Sequence, residues 1–299
     1  MLVRGLSRPI IATRNPPQPA APDERKEVTW LRWLEPHRTP IDLTNVQDID
    51  AVVHLMGEPI AGGRWTRAKK GRIRESRVES TRNLIAGIAR LPVRPRVLVA
   101  ASAMGYYGSR GNEELDEAAS SGTDFLAGVC REWESAALAA RELGVRVVLL
   151  RIGLVLGAGG FLAEVAPIFR RGLGGRLGHG RQWMSWIHVD DLVSLIQRCC
   201  DDSVFSGPVN ASAPAPVRNA EFTRVLAAAV GKRTFLPVPR LALRILFGEA
   251  ADVFLSSIRL RPAKALALGF EFRYPRLSEA LAAALPAENL QEQGTRQED

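Results

Sequence analysis

The 299-residue chain is short of several things, and each shortage excludes something. Cysteine occurs three times, at Cys130, Cys199 and Cys200, which is neither a disulfide framework nor a metal-ligand spacing. A reducing compartment follows. The four histidines are scattered, with no His-x-x-x-His pair, so no metal site is expected. No apolar run reaches the roughly 18 residues that cross a bilayer. The richest, Val145 to Val155, is cut by Arg146 and Arg151, and no membrane partner is expected. Lysine is scarce, at 5 of the 40 basic residues, and tyrosine occurs only at Tyr106, Tyr107 and Tyr274.

The net charge of +8 is spread along the chain, with a local basic stretch from Arg64 to Arg82. No nucleic-acid-binding motif accompanies it. The charge therefore suits anionic small ligands such as phosphates, and no nucleic-acid partner is expected. Residues up to Pro22 include Arg4, Arg8 and Arg14 and no acid, a trait of transit peptides. They are poor in serine and lack an amphipathic pattern, so a cytoplasmic protein is expected, with a mitochondrial one as the alternative.

What is present is a rhythm of short apolar segments and helical patterns. Strands are expected at Met1–Leu6, Glu27–Leu31, Asp50–Leu55, Val97–Ser102 and Arg146–Leu150. Helices are expected at Thr66–Arg90, Thr123–Leu143, from Gly160 to about Arg171, and at Val189–Cys200. This alternation predicts an α/β fold, a parallel sheet with helices on both faces. After Gly207 the character changes: Asn210–Val217 reads as a proline-punctuated turn, followed by short helices. The expected organisation is an α/β domain over 1–206, a smaller helical lobe over 207–285 and a disordered tail over 286–299.

In such a sheet, ligands sit outside the carboxyl ends of the strands. The stretch Val97–Gly108 ends there, delivering Ser102, Tyr106 and Tyr107 as candidate catalytic hydroxyls. Two segments match a phosphate-binding glycine spacing by letter only. Gly105, Gly108 and Gly111 precede four carboxylates within six residues, which would repel a pyrophosphate. Gly172, Gly175 and Gly178 follow a helix instead of a strand. Gly153 to Gly160 reads as a glycine-rich loop, whose part Gly157–Gly160 has a strand before it and a helix after it and suits close backbone approach to a ligand.

Several pieces together resemble the extended short-chain dehydrogenase/reductase superfamily. These are Ser7-Arg8-Pro9, the run Asp50 to Ile60, Arg64-Trp65-Thr66, Ser76-Arg77, Ser102 to Gly108, Trp133-Glu134, Arg151 to Gly157, Trp186 to Leu192, and Gly269 to Phe272. The similarity is closest to its atypical sugar-nucleotide-epimerase-like group, which has a C-terminal domain of unknown function. The resemblance implies a Rossmann-like doubly wound sheet. It also implies that the first strand, glycine-rich loop and helix, roughly 30 residues, are missing here, and a sequence that begins late is the preferred explanation.

The resemblance also implies a cofactor site. Arginine at the second strand's end, Arg8 beside Ser7, accommodates the 2′-phosphate of NADP, so NADP is expected over NAD. Met56, Gly57 and Ser102 are expected along the cofactor, and Leu154 to Gly157 at its nicotinamide end. The superfamily's Tyr-x-x-x-Lys pair is absent: Leu126 and Cys130 occupy the matching helix positions. The usual strand-end hydroxyl is displaced as well, with Ala103 in its place and Ser102 just before it. His188 is expected to orient a loop, and His54 to be a satisfied core residue. The leading expectation is an atypical NADP-binding epimerase or reductase acting on a carbonyl or nucleotide-sugar small molecule. A non-catalytic NADP(H)-binding module is the alternative, and a basic RNA-binding protein a weaker third.

Overall fold

The structure, a computed structural model, describes residues 9–16, 28–234 and 237–285. Ser7, Arg8, the expected first strand and the tail after 285 lie outside the described residues. The main elements run in chain order as follows. Strands β1 (Ile10–Thr13), β2 (Thr29–Arg32) and β3 (Ala51–His54) lead to helix α1 (Arg67–Ile88). Next come β4 (Val97–Ala103), α2 (Phe125–Leu138), β5 (Arg146–Ile152), β6 (Leu154–Leu156) and α3 (Phe161–Arg170). Then follow β7 (Trp186–His188), α4 (Val189–Asp201), β8 (Gly207–Ala211), α5 (Asn219–Ala229) and α6 (Arg240–Phe247).

Local chemistry sets the helix boundaries. The Thr66 hydroxyl accepts from the Lys69 N–H at 3.2 Å and starts α1. Asp124 does the same for α2, accepting from Ala127 N–H at 2.9 Å. The expected helix Thr123–Leu143 tightens into a 3₁₀ turn over Ala139–Leu143 and stops at Gly144, whose φ of +77° is left-handed.

Four strands make a parallel sheet in the order β8-β5-β4-β3. Its central strands are buried on both faces, which explains their continuous apolar runs. Alternation along them divides two cores. Val97, Val99, Val148 and Leu150 face α4 and Phe205, whereas Leu98, Ala100, Val147 and Leu149 face α1, α2 and Trp33. Strands β1 and β2 form a separate parallel pair.

Two segments expected as loops are strands. Gly207–Ala211 pairs with Val148–Ile152, so the start of the expected turn is in fact the sheet's edge strand. Proline at 208 hid it, and an edge position tolerates that residue because one side of the strand needs no ladder donor. Leu154–Leu156, inside the expected glycine-rich loop, pairs with Trp186–His188. A further core joins Leu156, Leu162, Phe169 and Trp186 to Phe222, Leu226, Leu277 and Leu281, so the second lobe draws on both halves of the chain. No described helix is long and apolar enough to cross a membrane, and no described cluster has metal-ligand character.

Candidate functional site

Register brings the expected tips together. His54 pairs with Ala100, Ser102 with Arg151, and Ile152 with both Ala103 and Ala211. Met56 and Gly57, Ser102 and Arg151, and Asn210 therefore stand side by side at the carboxyl ends of the four strands. A cavity of about 460 Å³ lies at the opposite end, between the segments 41–49 and 87–93, away from this edge.

A charge sits buried at the middle of the edge. Arg151, only 3% exposed, donates to Glu134 through Nε to Oε1 and Nη2 to Oε2, both at 2.9 Å. This is the bidentate geometry that lets a buried ion pair offset its desolvation. Ser102 donates its hydroxyl to Glu134 Oε1 at 2.7 Å. Arg151 Nη1 donates to the Tyr107 hydroxyl at 3.0 Å, which in turn donates to Asn210 Oδ1 at 2.7 Å. The Asn210 amide then donates to the carbonyls of Leu115 and Arg261, tying the edge to the second lobe. Burial pushes the Tyr107 phenol up to about 12, so it stays protonated near neutral pH.

Tyr106 is placed differently. Its ring covers the Arg151 guanidinium at 3.4 Å and meets Tyr107 edge-on. Its hydroxyl has no hydrogen-bond partner among the described residues, whereas Ser102 and Tyr107 are fully engaged. On α2, Leu126 packs beneath Gly105. The Cys130 thiol is pushed up to about 12 by burial and is neutral.

The tip of β3 has its own support. His54 Nε2 lies 3.0 Å from Thr81 Oγ1. Thr81 gives its single proton to Arg77 O at 2.6 Å and accepts from Trp133 Nε1 at 3.0 Å. The imidazole must therefore donate, which fixes the Nε2–H tautomer. Burial pushes it down to about 4, so it is the neutral core histidine that was expected. Above it Arg77 Nη1 donates to the carbonyls of Glu58 and Ile73 at 3.0 and 3.1 Å. Arg77 lies over Gly57: a Cβ there would be 3.0 Å from its Cζ and 3.1 Å from its Nη2.

On the second-lobe side, Leu154 is half-buried and Gly157 packs against Val189, with no room for a side chain. His188 caps α4 by accepting from Asp190 N–H at 3.2 Å and packs on Tyr274 at 4.0 Å, the loop-orienting part foreseen for it. Trp183 lies between the guanidinium groups of Arg218 and Arg259, at 4.0 and 4.7 Å.

Sequence reasoning gave no role to Glu134, Arg151, Arg77 or Asn210. For Arg151 a signal existed: an arginine inside the apolar strand Arg146–Ile152 needs a buried counter-charge. Nothing local marks Asn210, whose partners lie 51 to 103 residues away.

Residues 4–209 match the NAD dependent epimerase/dehydratase family, and residues 238–284 match a domain of unknown function, DUF1731. The chain is 46% identical over 243 residues to an epimerase family protein, the chloroplastic SDR39U1 homolog of Arabidopsis thaliana, covering 80% of this chain and 70% of that one. It is 43% identical over 266 residues to an epimerase family protein of Mycobacterium bovis, covering 88% and 86%. The crystal structure of human epimerase family protein SDR39U1 with NADPH superposes with a TM-score of 0.82 at 29% identity, covering 94% of this chain and 92% of that one. With the parallel sheet, the aligned strand tips and the helical C-terminal region on the page, this chain belongs to the NAD dependent epimerase/dehydratase family.

Proposed function

We propose that the chain binds NADP(H) across the carboxyl ends of β3, β4 and β5 and acts on a small carbonyl or nucleotide-sugar substrate. The single observation behind this reading is the register that aligns Met56–Gly57 with Ser102 and Arg151. The human relative solved with NADPH supports it. So does the corner at Gly57, which has no side chain and faces the Arg77 guanidinium, whose Nε and Nη2 have no acceptor among the described residues.

In this reading Met56 and Gly57 run along the dinucleotide, and Leu154 to Gly157 approach its nicotinamide end. Ser7 and Arg8, outside the described residues, select the 2′-phosphate. The lobe over 207–285 covers the substrate. NADP(H) when bound supplies or accepts a hydride. The protein's own part is to hold a proton at the Tyr106 hydroxyl, the one free hydroxyl of the three candidates. Ser102 and Tyr107 position that corner through Glu134 and Arg151. Three free cysteines support a reducing compartment, the cytoplasm in this reading, with the mitochondrion as the alternative.

One observation favours a second reading, a non-catalytic NADP(H)-binding module. Leu126 and a neutral Cys130 stand where the superfamily carries its acid–base pair. Titration of tryptophan fluorescence tests the shared claim. NADPH should quench it at lower concentration than NADH, and no response to either ends both readings. NADPH oxidation over a panel of carbonyl compounds and nucleotide sugars then separates them, with turnover lost in Tyr106→Phe if the enzyme reading holds.

A further inference from the structure

Among the described residues, the second lobe meets the sheet edge in unlike ways at the two ends of the row of strand tips. At the β8 end the joint is buried. Glu114–Leu115 pairs in parallel with Arg259–Leu260, and Leu115 and Leu260 are closed off from solvent. The Asn210 amide donates to the carbonyls of Leu115 and Arg261. The Glu117 carboxylate accepts from the backbone N–H groups of Asn210 and Lys264 at 3.0 and 3.2 Å. Buried bonds of this kind do not open without leaving polar groups unpaired.

At the β3 end the joint is exposed. The loop 58–66, which continues from Gly57 into α1, is pinned to α1 and α2. Glu58 N–H donates to Ser76 Oγ at 2.9 Å, Trp65 Nε1 donates to the Ile60 carbonyl at 2.9 Å, and the Trp65 ring meets Phe125 edge-on at 5.4 Å. Against this loop lies the corner that ends α6. Arg64 Nη2 donates to the Ile245 carbonyl, and Lys70 pairs with Glu249. The Arg64 stem runs beside Gly248, 3.7 Å from where a Cβ there would stand. Lys70 also lies over the Phe125 ring at 5.1 Å, so it keeps its place on the sheet side when Glu249 leaves. Glu249 is 66% exposed and Ile245 59%, and an exposed ion pair shifts an equilibrium by at most about fivefold. This end is therefore the one that gives.

We infer that the second lobe is hinged at its β8 joint and latched at its β3 joint, with loop 58–66 as the catch and the corner 245–249 as the latch. The strand tips lie between the two. A molecule lying along Met56, Gly57 and Ser102 is enclosed while the latch holds, and enters or leaves when it parts. That this molecule is NADP(H) rests on the nucleotide-binding reading. The latch itself does not.

The test uses the whole chain as wild type, Glu249→Gln, Arg64→Met and the double variant, with two readouts. Hydrogen exchange of the ligand-free protein reads the joints. Exchange over 240–255 should rise in each variant and most in the double, while amides over 114–117 and 259–264 stay as protected as in wild type. Stopped-flow displacement of bound NADPH reads the gate. Release should quicken about 3-fold in each single variant and about 10-fold in the double. Added salt should quicken release more in wild type than in Glu249→Gln, because the variant has one ion pair fewer to screen. Unchanged exchange over 240–255 in the double variant overturns the latch, and equal loosening at both joints overturns the hinge. Raised exchange with unchanged NADPH release overturns the control of the cleft. Wild type that binds no NADPH, with the exchange pattern as expected, overturns the NADP(H) reading and leaves the latch standing.

Discussion

Two corners of one sheet edge treat buried polar groups in opposite ways. Where β4, β5 and β8 end, Ser102, Glu134, Arg151, Tyr107 and Asn210 satisfy one another within a closed network. Two strands away, Arg77 leaves donors unused among the described residues, beside an exposed glycine. A closed network holds shape, because each group it contains is worth more in place than in water only while all are paired. An open one has bonds left to give. The comparison assigns stiffness to the Arg151 corner and leaves the Gly57 corner the one with donors still to give.

The largest expected effect breaks the closed corner. Glu134→Gln leaves the Arg151 charge buried without its partner and should cost about 3–5 kcal/mol in urea unfolding. Adding Arg151→Met should return part of that loss, since the desolvated charge is then gone. If Glu134→Gln unfolds like wild type, the network is not what holds the edge.

The next sharpens the difference from beneath the open corner. His54 has an ordinary value of 6.5 and is pushed down to about 4 by burial, so the unfolded chain takes up its proton first. Its contribution is complete above 6.5 and is lost as pH falls through about 4. Linkage gives roughly 3 kcal/mol across that window. Urea midpoints measured from neutral to acid pH should fall less in His54→Asn, which keeps a donor to Thr81 but cannot titrate there. An unaltered acid limb would falsify the neutral buried assignment.

The smallest effect concerns Ser102. Ser102→Ala removes one hydrogen bond to Glu134 and should cost about 1 kcal/mol in urea unfolding. A loss of turnover far beyond that, in a protein of normal stability, would move Ser102 from holding the corner to taking part in the reaction.

Much of the sheet was legible because its cause is local. Val97–Ser102 and Arg146–Leu150 announce buried parallel strands by unbroken apolar runs, and Thr66, Asp124 and Gly144 mark helix ends by capping chemistry. Gly207–Ala211 was not legible, since Pro208 and the prolines after it read as a turn, and only pairing with β5 makes it a strand. The site divides likewise. Gly57 and Gly157 stood out as glycines at strand ends, and Ser102, Tyr106 and Tyr107 as hydroxyls at another. Their neighbours decide which of those hydroxyls is free, and the neighbours come from distant segments.

The order of elements, the parallel α/β class and the edge where ligands gather follow from the amino-acid sequence, because apolar periodicity and capping act over a few residues. Tertiary structure decided the rest: that Arg151 answers Glu134, that Asn210 closes on Tyr107, and that Arg77 comes to lie over Gly57. Those groups are 17 to 103 residues apart along the chain. Whether a buried polar group is satisfied depends on what folding brings against it, and no local pattern encodes that.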